Sequence, residues 1–216
     1  MELLEILYAK FPKLRRVASY AGPQDILRKT PAELAALKAA GLKLLYCGLE
    51  SGDDEVLNHV DKGVNAAESI EAGQRVVAAG IKLSLMVILG LGGKRLSTQH
   101  ALHTAAAVNA IRPNMLSALT LMLYCGSELR EEYERGKFNL LSPAEIMAEL
   151  GLMMANIDLP ENSSCIFRSN HVSNYVNLAG TLPRDKDRLL AEIRKAEIML
   201  RDLQYWDPYN DVERYT

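Results

Sequence analysis

The chain has 216 residues, 49% hydrophobic and 24% charged: enough for one domain or a domain with a small appendage, and too apolar for a wholly disordered chain. Its 25 basic and 27 acidic residues leave a net charge of −2, which gives no reason to expect nucleic acid or an anionic membrane as a partner. The longest apolar stretch, 83–91, is interrupted by Ser84 and Gly90 and falls far short of the ~20 residues that span a bilayer.

In chain order, residues 2–10 carry Leu3, Leu4, Ile6 and Leu7 at helical spacing, and Pro12 ends the run. No charged start leads into an apolar core there, so no secretory signal is expected. Residues 14–20 read as a strand and Gly22-Pro23 as a turn. Thr30-Pro31-Ala32-Glu33 has the spacing of a helix start, and that helix stops at Gly41. Residues 42–48 read as a strand buried on both faces, followed by a short helix at 54–60 and a longer one at 66–79. The clearest strand is 81–89. A helix at 96–111, a strand at 115–123, and helices at 127–135 and from Ser142 onward follow. Cys165 to Phe167 can form a last short strand, 170–181 reads as irregular, and 184–205 as a charged amphipathic helix before an acidic, aromatic tail. Alternating strands and helices predict α/β with an open parallel sheet. Four or five strands do not close a (β/α)₈ barrel, so the architecture reads as part of one.

Where the apolar strand ends at Gly48, Glu50, Ser51 and Gly52 follow, and in parallel α/β folds ligands bind at that edge. Glu50 there can hold an amine or a ribose hydroxyl; alternatively the segment is a helix start, with Ser51 or Asp53 as cap and Glu50 solvated. Gly90-Leu91-Gly92-Gly93-Lys94 is not a phosphate loop: position 88 is Ile and Arg95 follows the lysine. A strand-to-helix turn is the better reading. Arg168, Asn170 and His171 lie in a donor-rich run that can either bind an anionic small-molecule substrate or satisfy its own backbone. His59, His100 and His103 read as helix-surface histidines with no third metal ligand, and Cys125 as a small buried residue. Cys47, Cys125 and Cys165, odd in number and far apart, suit a reducing, cytoplasmic location.

The stretch GLESGDDEVL from Gly48 to Leu57, with Asp61-Lys62-Gly63 after it, resembles the middle of the radical S-adenosylmethionine (SAM) enzymes. IKLSLMVILG at 81–90 is similar to their fifth strand and LTLMLYCGSEL at 119–129 to their sixth. FRSNHVSNY at 167–175 resembles a segment of short standalone members related to oxygen-independent coproporphyrinogen III oxidase. The resemblance implies a partial (β/α)₆ barrel over residues 1–160 and a C-terminal extension over 161–216. It also implies SAM and a [4Fe-4S] cluster as cofactors of the intact family, with a 5′-deoxyadenosyl radical abstracting hydrogen from a substrate. Carried over by position, Glu50, Ser51, Lys62, Met86, Gly90, Gly92 and Met122 face SAM, and Arg168, Asn170 and His171 the substrate. Met86 stands where the porphyrinogen oxidases are often polar, and Ser19 where an acidic ribose-binding residue is common.

The family's CxxxCxxC loop is absent from this sequence, and its cysteines are too dispersed to replace it. The expectation is therefore a chain corresponding to the later part of the barrel, inactive by itself in SAM cleavage and holding neither cofactor; the alternative is a non-catalytic α/β module that binds a nucleotide or small anion at the same strand tips. The strand at 14–20 would then be an open sheet edge and a place for homo-oligomer contact.

Overall fold

The computed structural model of the protein describes residues 2–201. Six strands form one sheet in the order β1 (Val17–Tyr20), β2 (Leu42–Glu50), β3 (Lys82–Leu89), β4 (Met115–Thr120), β5 (Cys165–Ser169) and β6 (Leu178–Leu182). The first five strands are parallel neighbours in chain order. The sheet is thus open and parallel over β1–β5. The segment 170–181, read above as irregular, contributes most of β6, which pairs antiparallel to β5. Helices connect the strands: α1 (Glu2–Lys10) precedes β1, α2 (Pro23–Leu27) and α3 (Pro31–Ala39) lead to β2, and α4 (Asp54–His59) and α5 (Ala66–Ala78) to β3. After β3 come α6 (Gly93–Ile111), then β4, α7 (Glu128–Glu134), α8 (Pro143–Asn156) and, beyond β6, α9 (Lys186–Arg201).

Local signals explain most of these boundaries. Thr30, Asn65 and Ser142 each close a capping box with a glutamate three residues on, so the exposed amides of α3, α5 and α8 are satisfied before the first turn. The expected strand at 14–20 starts only at Val17, because Phe11 to Leu14 form a turn closed by the Leu14 amide on the Phe11 carbonyl. Gly22-Pro23, read as a turn, opens α2, with Pro23 in its first turn and the Gly22 amide bound to the Asp25 carboxylate. The end of the charged helix expected over 184–205, from 202 on, and the acidic tail lie outside the described residues. Among the described residues, no helix is long and apolar enough to cross a membrane.

Side chains alternate across the strands. Leu45, Cys47 and Leu49 on β2, Leu83, Leu85, Val87 and Leu89 on β3, and Leu116 and Ala118 on β4 are buried in the main core. Their alternates Tyr46, Gly48, Met86, Ile88, Ser117 and Leu119 are half-buried and line the opposite, concave face. Tyr20 and Tyr46 stack there at 5.2 Å between ring centroids.

Candidate functional site

The C-terminal end of β2 departs from regular geometry. The register with β3 slips between Gly48 and Glu50, and Glu50 has a φ of 62°, in the left-handed region that a non-glycine residue seldom occupies. This conformation turns the Glu50 side chain back over Gly48: a Cβ at position 48 would sit 2.1 Å from Glu50 Oε1 and 3.3 Å from Lys62 Nζ. Glycine at 48 therefore makes the cradle in which the carboxylate lies. Lys62 Nζ donates to Glu50 Oε1 at 3.1 Å, and both side chains keep about a fifth of their surface open, 20% for Lys62 and 23% for Glu50.

The lysine is placed by the end of α4. The Lys62 amide returns to the Leu57 carbonyl and the Asp61 amide to the Asn58 carbonyl, while Asp61 takes the left-handed conformation (φ 49°). This is the double hydrogen bond of a Schellman ending, with aspartate where glycine is usual. Asp53 starts the same helix, its carboxylate accepting from the Val56 amide at 3.0 Å.

Beneath the 50–53 turn lies a buried polar network that sequence reasoning missed. Ser51 is completely buried, accepts the Asp53 amide and donates to His100 Nδ1 at 2.8 Å. That direction follows from the other ring nitrogen, which donates to the Ile88 carbonyl at 3.1 Å. Gly52 rests on the α6 backbone: a Cβ there would lie 2.3 Å from the His103 carbonyl oxygen, and its amide donates to Thr104 Oγ1. Asp53 also binds Gln99 and His103, each at 2.6 Å, and these bonds hold its carboxyl below the usual range against the opposing effect of burial. One face of α6 therefore clamps the turn that carries Glu50.

His100 is thus not a surface histidine: it is 1% exposed, and burial lowers its pKa to about 4. Glu149 of α8, also buried, accepts the Gly90 amide at 2.6 Å, and burial raises its pKa to about 7. Its Oε2 is buried without a hydrogen bond, although the Ser97 hydroxyl is close enough to oppose part of the shift. His100 Nε2 and Glu149 Oε1 are 3.8 Å apart. Separation alone would suggest an ion pair, but desolvation opposes both charges, and a neutral imidazole beside a carboxylic acid is the state the burial favours.

The other sequence-marked residues fall in separate places. Met86 lies on the concave face in register with Gly48. Gly90 is a turn residue whose amide is taken by Glu149. Gly92 borders a pocket of about 130 Å³ with His59, Lys94, Arg95 and Phe138. Met122 lines a neighbouring pocket of about 280 Å³ with Leu91, Tyr124 and the hydrogen-bonded pair His59 and Glu132. Ser19 is exposed and donates to its neighbour's carbonyl. Arg168 is exposed on β5. Asn170 and His171 are exposed in the next loop, where His171 Nδ1 accepts the Ser173 amide. Cys125 is exposed, not buried, because β4 stops at Thr120 and leaves it in a loop.

No protein-family profile matches the sequence, and no curated protein matches it. Solved structures do. The archaeal Elp3 of Methanocaldococcus infernus, with an N-terminal deletion, superimposes with a TM-score of 0.60 at 16% identity, over 86% of this chain and 42% of that one. Methylornithine synthase (PylB) gives 0.51 at 18% identity, over 97% and 64%. The radical S-adenosylmethionine methyltransferase TsrM of Kitasatospora setae, with tryptophan and a SAM analogue bound, gives 0.50 at 14% identity, over 94% and 50%. The fold is similar to that of radical SAM enzymes. The chain spans less than two thirds of the length of each of these structures.

The donor set fits the two cofactors of that fold unequally. Cys47 and Cys165 are buried, with thiols pushed up to about 11 and about 12, and sit three strands apart, or roughly 14 Å at ordinary strand spacing. Among the described residues no group of three metal-ligating side chains exists, so they do not fit an iron–sulfur cluster. The Gly48 cradle, with a carboxylate and an ammonium at a parallel strand end, does fit the polar groups of a nucleoside or amino acid.

Proposed function

We propose that the C-terminal end of β2 is a SAM-binding site of radical SAM type, with Glu50 and Lys62 exchanging part of their mutual pairing for the polar groups of the ligand. The observation that carries this reading is the strained Glu50 backbone. A left-handed glutamate costs roughly 1–2 kcal/mol. Such strain is characteristic of ligand-binding positions, and here it aims a carboxylate over a glycine at the strand ends.

SAM bound beside a cluster supplies a carbon radical that abstracts hydrogen, the activity proposed for the parent enzyme. Because this chain's own thiols do not assemble a cluster site, the chain by itself binds without cleaving. Within the parent class, a coproporphyrinogen III oxidase is the finer assignment suggested by the 167–175 segment; apolar Met86 on the concave face weighs against close identity. Calorimetric titration with SAM tests the binding. Wild type should bind, and E50Q and G48A should each lose at least tenfold in affinity; unchanged affinity in both variants refutes the site. After anaerobic incubation with iron and sulfide the chain should form no 5′-deoxyadenosine from SAM.

The open edge of β1 belongs to the same reading. Tyr20 is 77% exposed there, with Leu3, Ile6 and Phe11 of α1 and the following turn also exposed. Unpaired backbone at such an edge is a template for a second chain. Sedimentation velocity at micromolar concentration should show a dimer or larger species; a clean monomer removes the homo-oligomer from the reading.

A further inference from the structure

The strand registers place four residues in one row across the concave face. Gly48 pairs with Met86, Met86 with Ser117, and Ser117 with Arg168. In-register partners on parallel strands share a face, so Arg168 stands at the far end of the row whose near end is the Gly48 cradle. Three strand spacings separate the two ends, roughly 14 Å. The neighbours of Arg168 along β5, Phe167 and Ser169, are buried on the opposite face, which fixes the strand beneath it.

Arg168 differs from several arginines of the helix layer. Arg75, Arg95 and Arg188 pair with Glu71, Glu55 and Glu192. Arg168 is exposed, its guanidinium donates to its own strand's Phe167 carbonyl, and no carboxylate forms an ion pair with it among the described residues. The floor between it and the cradle is half-buried and mostly apolar, with Met86 in the row and Met115 and Leu119 on β4 beside it. A row of this kind matches a molecule with one anionic end and an apolar body.

We propose that the concave face binds an amphipathic carboxylate as substrate, its carboxylate held by the Arg168 guanidinium and its apolar body lying over Met86 and Met115 toward Glu50. The proposal rests on the reading of Glu50 and Lys62 as the SAM end of the same face. Arginine suits the role because its planar fork takes a carboxylate through two parallel hydrogen bonds, which an amide or a cation cannot accept. A strand also positions it more rigidly than the following loop positions His171.

The test uses the full chain with indole-3-propionate, its primary amide and tryptamine as probes, read by methionine-methyl NMR. The Met86 and Met115 signals are assigned with M86L and M115L. Indole-3-propionate should shift both signals and bind at least fivefold more tightly than the amide, with tryptamine weaker still. R168Q should abolish the preference for the carboxylate, and R168K should keep part of it. A preference that survives R168Q overturns the proposal. So does a wild type whose Met86 and Met115 signals move with none of the probes. A parallel SAM titration separates the two ends: R168Q should bind SAM as wild type does. If wild type binds no SAM but shows the Arg168-dependent preference, the SAM reading fails and the carboxylate site stands.

Discussion

On β3, Leu85, Val87 and Leu89 are at most 1% exposed, while Met86 and Ile88, one residue away, are only half-buried. The same alternation runs along β2 and β4, so one strand set carries a helix-packed face and an open one. The buried face is apolar nearly throughout; at the strand ends Ser51 and His100 satisfy each other and backbone, and Glu149 accepts a backbone amide through one of its oxygens. The open face mixes methionine, tyrosine and leucine with Glu50, Lys62 and Arg168. This difference shows where stability and recognition reside: helices fix the strand positions from one side and leave the other side to chemistry.

The largest expected effect tests that division directly. Leu85→Ala should cost about 2–5 kcal/mol in urea unfolding, because a packed core cannot collapse around the cavity. Met86→Ala should cost about 1 kcal/mol or less, its side chain being half-exposed. Equal losses would mean that the two faces are equally load-sharing and that the open face has a partner in solution.

The buried pair gives the next effect and links the faces through pH. Glu149, raised to about 7 in the fold, retains a proton that the unfolded chain releases above about 4.5, so its contribution to stability falls as pH rises through 4.5–7. His100, lowered to about 4, resists a proton that the unfolded chain takes up below 6.5, so its contribution rises with pH through 4–6.5. The two slopes oppose each other, and wild-type stability should be nearly flat between pH 4.5 and 6.5. E149Q should unmask the histidine, with stability increasing over that interval by about 3 kcal/mol at most. H100N should instead make stability decline from pH 4.5 to 7. Denaturant midpoints across pH measure both; identical profiles for wild type and E149Q would show that the pair is not neutral.

A smaller effect sharpens the distinction between strain and packing. Glu50→Gly should raise stability by about 1 kcal/mol, because glycine accepts the left-handed backbone freely and the lost ion pair is partly exposed. The same variant should lose SAM binding. A loss of stability would make Glu50 a structural residue. Smallest of all, Arg95→Ala should change stability by less than about 1 kcal/mol, since its pair with Glu55 is half-exposed at both ends.

Much of this arrangement was legible in the residues. Apolar runs bounded by glycine marked β2 and β3, and capping-box spacings marked α3 and α8. The Gly48–Gly52 segment stood out because polar residues follow an apolar strand at the ligand-binding edge. Its bulge and the Schellman ending that brings Lys62 to Glu50 did not, because aspartate and glutamate occupy left-handed positions where glycine would have signalled them. β6 was obscured by Ala179 and Gly180, small residues that leave no clear polar–apolar alternation. His100 and Glu149 look solvated by type. Their only clue is position: His100 is four residues after Leu96 and four before Thr104, and Glu149 three after Ile146, on the faces those helices bury.

The reversal of β6 has an electrostatic consequence. Helices that follow β1–β4 bring their amide ends toward the ligand edge, but α9 follows an antiparallel strand and runs the other way. Its last residues, Leu200 and Arg201, share a cleft with Ser142 and Pro143 at the start of α8. The macrodipoles of α8 and α9 are therefore opposed, and the partial positive charge at the start of one helix meets the partial negative charge at the end of the other. Potential from backbone dipoles thus fades along the ligand edge toward β6. On that side, positive charge has to come from a side chain, and on β5 that side chain is Arg168.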